Sequence, residues 1–164
     1  MAENQSHKFQ NKIQITYQQL FHQRYTRLVS FFNELEKVIP REELLKVVRD
    51  WSERSSIKSV GEERASSFEE FKNYWKTVSY GEYFSQVVSV DFPHESDTEL
   101  HCSYSECLFA KTFRDLGAEE LGLIIGCDQD HSFIKTMNPR LKLKRTKTLM
   151  EGHDQCNHVF IWED

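Results

Sequence analysis

The chain has 164 residues, 38% hydrophobic and 13% aromatic, with twelve Phe, and a formal net charge of −5. That length fits one domain, 1–164, with a core of its own, and the large rings offset a modest apolar count. The acidic balance argues against nucleic acid as a partner, and the absence of any long apolar run argues against a membrane span.

The first eight residues are polar and are expected to fray. They carry neither the basic start nor the apolar stretch of a secretion signal, so the expected location is cytoplasmic. From Phe9 to Ile39 apolar residues recur at helical spacing. Ile13, Tyr17, Leu20, Phe21, Leu28, Phe31, Phe32 and Leu35 give that helix a wide apolar face. Pro40 ends it and suits the first turn of a second helix, whose buried side is marked by Leu44, Leu45, Val47, Val48 and Trp51. The polar stretch from Ser52 to Ser67 reads as a joint. Ser67 followed by Glu70 is a capping-box pattern that opens a third helix, with Phe68, Phe71, Tyr74 and Trp75 on its apolar face. These helices form a part at about 9–80, and a sheet-bearing part follows at about 81–164.

In the second part the period changes. Tyr83 to Phe92 reads as a strand and Pro93 to Asp97 as a turn. Thr98 to Ser105 alternates, placing Leu100, Cys102 and Tyr104 on one side. A helix is expected from Glu106 to Leu116, stopped by Gly117, and another from Ala118 to Lys135. Asn138-Pro139 ends that region. Two strands close the chain, Leu141 to Met150 and Asn157 to Trp162, joined by a turn at Glu151 to Gln155. The order ββααββ predicts an α+β fold: N-terminal helices, then an antiparallel sheet of two hairpins with helices packed on it.

Residues with chemical potential concentrate between Cys107 and His158. On the strand from Leu141, alternation puts Arg145 on a face with leucines. An unpaired buried guanidinium is costly, so it is either a clamp for a substrate carboxylate or half of an internal ion pair with an acid such as Asp128. Cys127 and His131 are four apart on a predicted helix and share a face, which suits a thiol–imidazole pair. Alternatively Cys127 only continues the apolar face of Leu121, Ile124 and Ile125 while Asp130 and His131 are solvated. Cys156 and His158, two apart on a strand, point to one side with Phe160 and Trp162. They are either members of a reactive cluster or a buried thiol and a core imidazole. Cys107 opens a helix, where the dipole favours thiolate, whereas Cys102 has no such neighbourhood and is expected to be structural. In a reducing compartment the four cysteines stay thiols. With no paired C-x-x-C, zinc or another divalent metal is not favoured, and no cofactor is expected.

Taken in order, Cys107, Leu116-Gly117-Ala118-Glu119-Glu120-Leu121, Cys127-Asp128-Gln129-Asp130, Asn138-Pro139, Arg145-Thr146-Lys147-Thr148-Leu149, Gly152 and Cys156-Asn157-His158 resemble the L-2-amino-thiazoline-4-carboxylic acid hydrolase family over the last third of the chain. One departure is His153 after Gly152, where many relatives are expected to carry an acid; either Asp154 takes over that role or the turn chemistry differs. The resemblance implies a hydrolase acting at the C–N bonds of a small cyclic amidine carboxylate and opening the thiazoline to a carbamoyl-cysteine. It implies Cys107 or Cys127 as nucleophile, with Cys156 third, and proton transfer by His131 or His158. Asp128 or Asp130 would hold the protonated amidine and Arg145 the carboxylate, with Thr146 and Thr148 also on the substrate.

Two other functions are carried alongside. The ending Gly-x-x-x-Cys-Asn-His-x-Phe is similar to that of vinyl-reductase-type domains, which bind small apolar molecules. A non-catalytic interaction subunit of the same family would use the aromatic Phe9–Ile39 helix as a homodimer face. An enzyme should bring Arg145, at least one cysteine and a histidine to one cavity, whereas a sensor should keep its cysteines off the cavity wall.

Overall fold

A computed structural model describes residues 14–62 and 64–163. The first helix, α1 (Tyr17–Leu35), opens on Thr16, whose hydroxyl accepts from the Gln19 amide while the Gln19 side chain accepts from the Thr16 amide. This capping box sets the helix start, so residues 14–16 precede it. The helical start expected at Phe9, with Ile13, and the fraying expected before it lie outside the described residues. Helix α1 buries Phe21, Tyr25, Val29 and Phe32, a stripe narrower than the sequence pattern predicts. Leu20, Leu28 and Phe31 stand exposed, because helix α4 covers α1 from one side.

Helix α2 (Arg41–Val60) follows Pro40 and runs straight through the polar stretch expected to be a joint. The joint falls instead at Gly61, whose φ of +60 is a conformation that glycine takes without strain. The buried stripe of α2 is Leu44, Leu45, Ser52, Ser56 and Val60, while Val47 and Trp51, expected inside, face out. Serines on that stripe let α2 lie close along α6. Helix α3 (Phe68–Ser79) is capped by the Ser67 hydroxyl, which accepts from the Glu70 amide. The Glu70 carboxylate reaches one residue further back than a capping box requires, to the amide and hydroxyl of Ser66. Lys72 on α3 is buried, and its ammonium meets Glu69 at 2.7 Å, Glu95 at 3.2 Å and the Ser96 carbonyl at 3.2 Å.

The fold is α+β, with N-terminal helices and a four-stranded antiparallel sheet of two hairpins on which helices pack. The strands are β1 (Val88–Glu95), β2 (Glu99–Cys107), β3 (Leu141–Arg145) and β4 (Cys156–Trp162), in spatial order β1-β2-β4-β3. The strand expected from Tyr83 starts later, because Phe84–Gln86 form a 3₁₀ turn. It also runs on through Pro93 to Glu95. Pro93 is tolerated there because β1 is an edge strand with an irregularity between Asp91 and His94. Strand β2 alternates as expected, with Leu100, Cys102 and Tyr104 buried.

Strand β3 stops at Arg145 instead of reaching Met150. Asn157 on β4 ends it: its side-chain carbonyl accepts from the amides of Thr146 and Lys147, and its amide donates to the Thr146 hydroxyl. The helix expected from Glu106 is α4 (Leu108–Asp115), with Cys107 as its cap. The single helix expected from Ala118 to Lys135 is three pieces: α5 (Glu119–Gly122), a π turn at Leu123–Cys127, and α6 (Gln129–Met137).

Two buried clusters result. In one, Phe21, Tyr25 and Phe32 of α1 pack with Phe113, Leu121, Ile124 and Met150. In the other, Phe68 and Phe71 of α3 and Ile134 of α6 cover Leu100, Leu141 and Phe160 on the inner face of the sheet. Val88 and Leu149 touch both. Among the described residues no helix is long and apolar enough to cross a membrane.

Gly122 is where α5 meets the first cluster: a Cβ there would lie 2.7 Å from Met150 Sδ and 2.7 Å from Phe113 Cγ. Overpacking of this kind costs about 1–3 kcal/mol, against a gain in helix propensity of at most about 1 kcal/mol. Gly122→Ala should therefore lower the urea midpoint without changing the slope of the transition.

Candidate active site

The site begins at the π turn. There the Asp128 amide reaches five residues back to the Leu123 carbonyl at 2.8 Å, so the regular helical ladder is broken. Side chains from elsewhere serve carbonyls at the break. Ser52 donates to the Ile124 carbonyl at 2.9 Å, and Ser56 donates to that of Gln129 at 2.8 Å. Arg145 Nη1 donates to the Cys127 carbonyl at 3.1 Å. The two serines are four apart on α2 and replace apolar residues on its buried stripe for this reason.

The Arg145 side chain, at the end of β3, is only 7% exposed. Besides the Cys127 carbonyl it meets Asp130 Oδ2 at 3.3 Å through Nη1 and Asp128 Oδ1 at 3.4 Å through Nη2. Asp128 in turn receives Arg49 from the outside at 3.2 Å. Of the two sequence readings of Arg145, the geometry is that of an internal ion pair, with two carboxylates rather than one.

Next to this cluster, a cavity of about 310 Å³ lies between the helices and the inner face of the sheet. Cys107, Cys127, Cys156, Asp130, Arg145, Thr148 and His158 all line it. Its remaining wall is largely aromatic, from Tyr74, Trp75, Phe109 and Phe133. Cys107 also borders a wider, open groove on its other side, flanked by Lys111, Arg114 and His153. Strand register explains part of the convergence: β4 places Cys156 opposite Tyr104 and His158 between Cys102 and Arg145.

Burial dominates the electrostatics. It pushes Asp130 up to about 7 despite Arg145, which works the other way. Burial pushes Cys107 up to about 11, although the Ala110 and Phe109 amides at the start of α4 favour its thiolate. The helix N-terminus therefore acts as expected on Cys107 but is outweighed. Cys127 is raised further, by burial and then by the charge of Asp130. Cys156 is raised by burial against the Leu149 amide, which donates to its sulfur at 3.2 Å. His158 is driven down to about 3 by burial and by Arg145, so its ring is neutral. Its Nδ1 is buried without a hydrogen-bond partner, and its ring centroid lies 4.9 Å from that of Tyr104. The Tyr104 hydroxyl itself accepts from Trp75 Nε1 at 3.1 Å.

Of the remaining predicted residues, His131 and Thr146 lie off the cavity wall. His131 is exposed and does not line the cavity, because the π turn breaks the four-residue spacing that would have stacked it on Cys127. Thr146 is exposed and bonded to Asn157. Thr148 lines the cavity, but its hydroxyl donates to the Glu151 carboxylate at 2.7 Å and accepts from the Glu151 amide at 3.1 Å. Cys102 is 2% exposed in the second cluster, with its thiol pushed up to about 12 by burial. The aromatic wall and the buried serines are site residues that the sequence pattern does not single out. Tyr74 and Trp75 read simply as core at helical spacing, and the signal for Ser52 and Ser56 was their place in line with Val48 and Val60.

A sequence profile of the family described as L-2-amino-thiazoline-4-carboxylic acid hydrolase matches residues 17–160. Comparison with curated proteins gives no match.

His158 makes stability pH-dependent with a definite sign. Its folded pKa of about 3 lies below the ordinary 6.5, so its contribution is whole above pH 6.5 and is lost as pH falls from there through about 3. Asp130, raised to about 7, pulls the other way over part of that range, and it is common to the wild-type chain and the variant. His158→Gln should therefore reduce the loss of stability between pH 6.5 and 4, measured by urea unfolding at each pH. An unchanged slope would mean that His158 titrates normally.

Proposed function

The chain belongs to the L-2-amino-thiazoline-4-carboxylic acid hydrolase family, and on that premise we propose that its cavity opens the ring of a small cyclic amidine carrying a carboxylate. One observation carries the reading: three thiols, the Asp130 carboxyl, the Arg145 guanidinium and the unpaired His158 ring converge on one cavity of about 310 Å³. That volume is at the lower end of small-molecule sites and suits a single five-membered ring with its acid group.

Cys107 is the nucleophile we favour. It lines both the cavity and the open groove, so substrate can reach it, and two amides at the start of α4 face its sulfur. At neutral pH it is a thiol and needs a base. Asp130, poised at about 7, is tuned to take a proton and give it back. In this scheme Cys107 Sγ adds to the carbon of the protonated amidine, the C=N π pair moves to nitrogen, and Asp130 accepts the thiol proton. The nitrogen pair then re-forms C=N as the ring carbon–sulfur bond breaks, rather than one of the C–N bonds of the sequence reading, and Asp130 returns the proton to the departing sulfur. Water adds to the carbon left on Cys107, the bond to Cys107 breaks, and a carbamoyl amino acid with a free thiol leaves as Cys107 regains its proton. Arg145, paired with Asp128 and Asp130, keeps the Asp130 carboxyl at the cavity wall, and His158 Nδ1 offers an acceptor to an amidine N–H.

The aromatic wall supports a second reading, a small-molecule-binding domain without turnover, like the vinyl-reductase type. Its weakness is that the thiols line the cavity rather than standing off it.

Incubation with 2-amino-thiazoline-4-carboxylate, followed with a thiol reagent, separates the two. Turnover with release of one thiol per substrate is expected. Ionised Asp130 is the base, so kcat/KM should rise with pH through about 7. Cys107→Ser and Asp130→Asn should each lose on the order of 10²–10⁴-fold in kcat/KM, and Asp130→Asn should also lose the inflection. A carbamoyl product without a new thiol would move the cleavage to the ring nitrogen. Full activity in Cys107→Ser would move the nucleophile to Cys127 or Cys156, and a wild-type protein that binds the acid without turnover would favour the second reading.

A further inference from the structure

Away from the cavity, the first hairpin carries a cluster that the proposed reaction does not use. Leu100 and Cys102 of β2 point into the core, so Glu99 and His101, which alternate with them, stand on the opposite face of the sheet. His94 on β1 pairs directly with His101 across the ladder, just past the irregularity that begins at Asp91. The two imidazole rings are 4.7 Å apart at their centroids. His101 Nε2 lies 2.9 Å from Glu99 Oε2. One ligand atom from each of the three residues falls within 4.8 Å of the other two.

We propose that His94, Glu99 and His101 form a binding site for a divalent cation of the zinc class, bridging the two strands of the first hairpin. Two imidazoles and one carboxylate are the ligand types that hold such an ion, at about 2.0–2.2 Å each. Imidazole nitrogen selects zinc, copper or nickel over magnesium and calcium, which prefer oxygen throughout. Only modest side-chain rotation is needed to close three atoms already within 4.8 Å onto one ion, and these side chains are partly exposed and free to turn. The ion would replace the hydrogen bond between His101 and Glu99. Three protein ligands leave one position for water, so the site is open.

Geometry also states what the ion does. His94 and His101 sit on different strands, so one cation ties them together where the irregularity weakens the ladder. The same hairpin supplies Tyr104 and Cys107 to the cavity. Binding to the folded state alone raises thermal stability.

The test is titration of the full chain, first stripped with a chelator, with ZnCl₂ in a calorimeter. One equivalent with a micromolar Kd is expected, together with a rise in Tm. His94→Ala and His101→Ala should each weaken binding by at least about tenfold and abolish the Tm rise. Glu99→Gln should weaken it less. His153→Ala, in the turn beside the open groove, should leave it unchanged. Cobalt substitution guards against binding by the cavity thiols: the expected spectrum has no sulfur-to-metal charge-transfer band. Absence of binding, binding indifferent to His94→Ala and His101→Ala, or a strong sulfur band would each overturn the proposal. Far-ultraviolet circular dichroism, with His101→Gln as the milder variant, separates loss of the site from loss of the fold.

Discussion

One buried cation orders the site. The Arg145 guanidinium is almost wholly removed from water, and such a charge is tolerated only when anions and carbonyls surround it. Asp130, Asp128 and the Cys127 carbonyl do so, and all three come from the junction between the π turn and α6. The end of β3 is thereby fastened to the one place where the second helical stretch is irregular. Removing one partner of a buried pair typically costs about 3–5 kcal/mol, so this fastening also holds Asp130 against the cavity.

The surrounding frame keeps the cavity open. Two aromatic-rich clusters, one under α1 and one on the inner face of the sheet, meet without merging, and the cavity lies at their boundary. Inside it, removal from water raises every thiol that lines it, and the charge of Arg145 and the α4 amides are secondary. In the proposed reaction the nucleophile is therefore not a resting thiolate but a protonated sulfur that shares the cavity wall with Asp130, whose own pKa burial has brought near neutral pH. The neutral His158 fits the same logic, since a second buried cation beside Arg145 would be hard to sustain.

Much of this is legible in the amino-acid sequence. Alternation marks the inward side of β2, with Leu100, Cys102 and Tyr104, and the inward side of β4, with Cys156, His158 and Phe160. The ordered motif points to the family. What escapes is what distant parts of the chain decide. Periodicity carries Leu141 to Met150 as one strand, but Asn157 captures the amides of Thr146 and Lys147 and ends it. Hydrophobic spacing places Val47 and Trp51 inside α2, but the carbonyls of the helix break recruit Ser52 and Ser56 to that side. The pairing of Cys127 with His131 assumes an unbroken helix, and the π turn removes that assumption.

The π turn has a wider meaning. Such a turn is what a helix becomes when one residue is inserted without interrupting it. A chain of this fold that lacked the insertion would carry α6 rotated by about 100° about its axis. The acid at the place of Asp130 would then turn away from Arg145, and the serines of α2 would face a regular ladder with no carbonyl to serve. The number of residues between Gly117 and Asn138 thus becomes a measurable character. Chains that keep it can build the arginine-centred site, and in chains one residue shorter the end of β3 would meet a different face of α6.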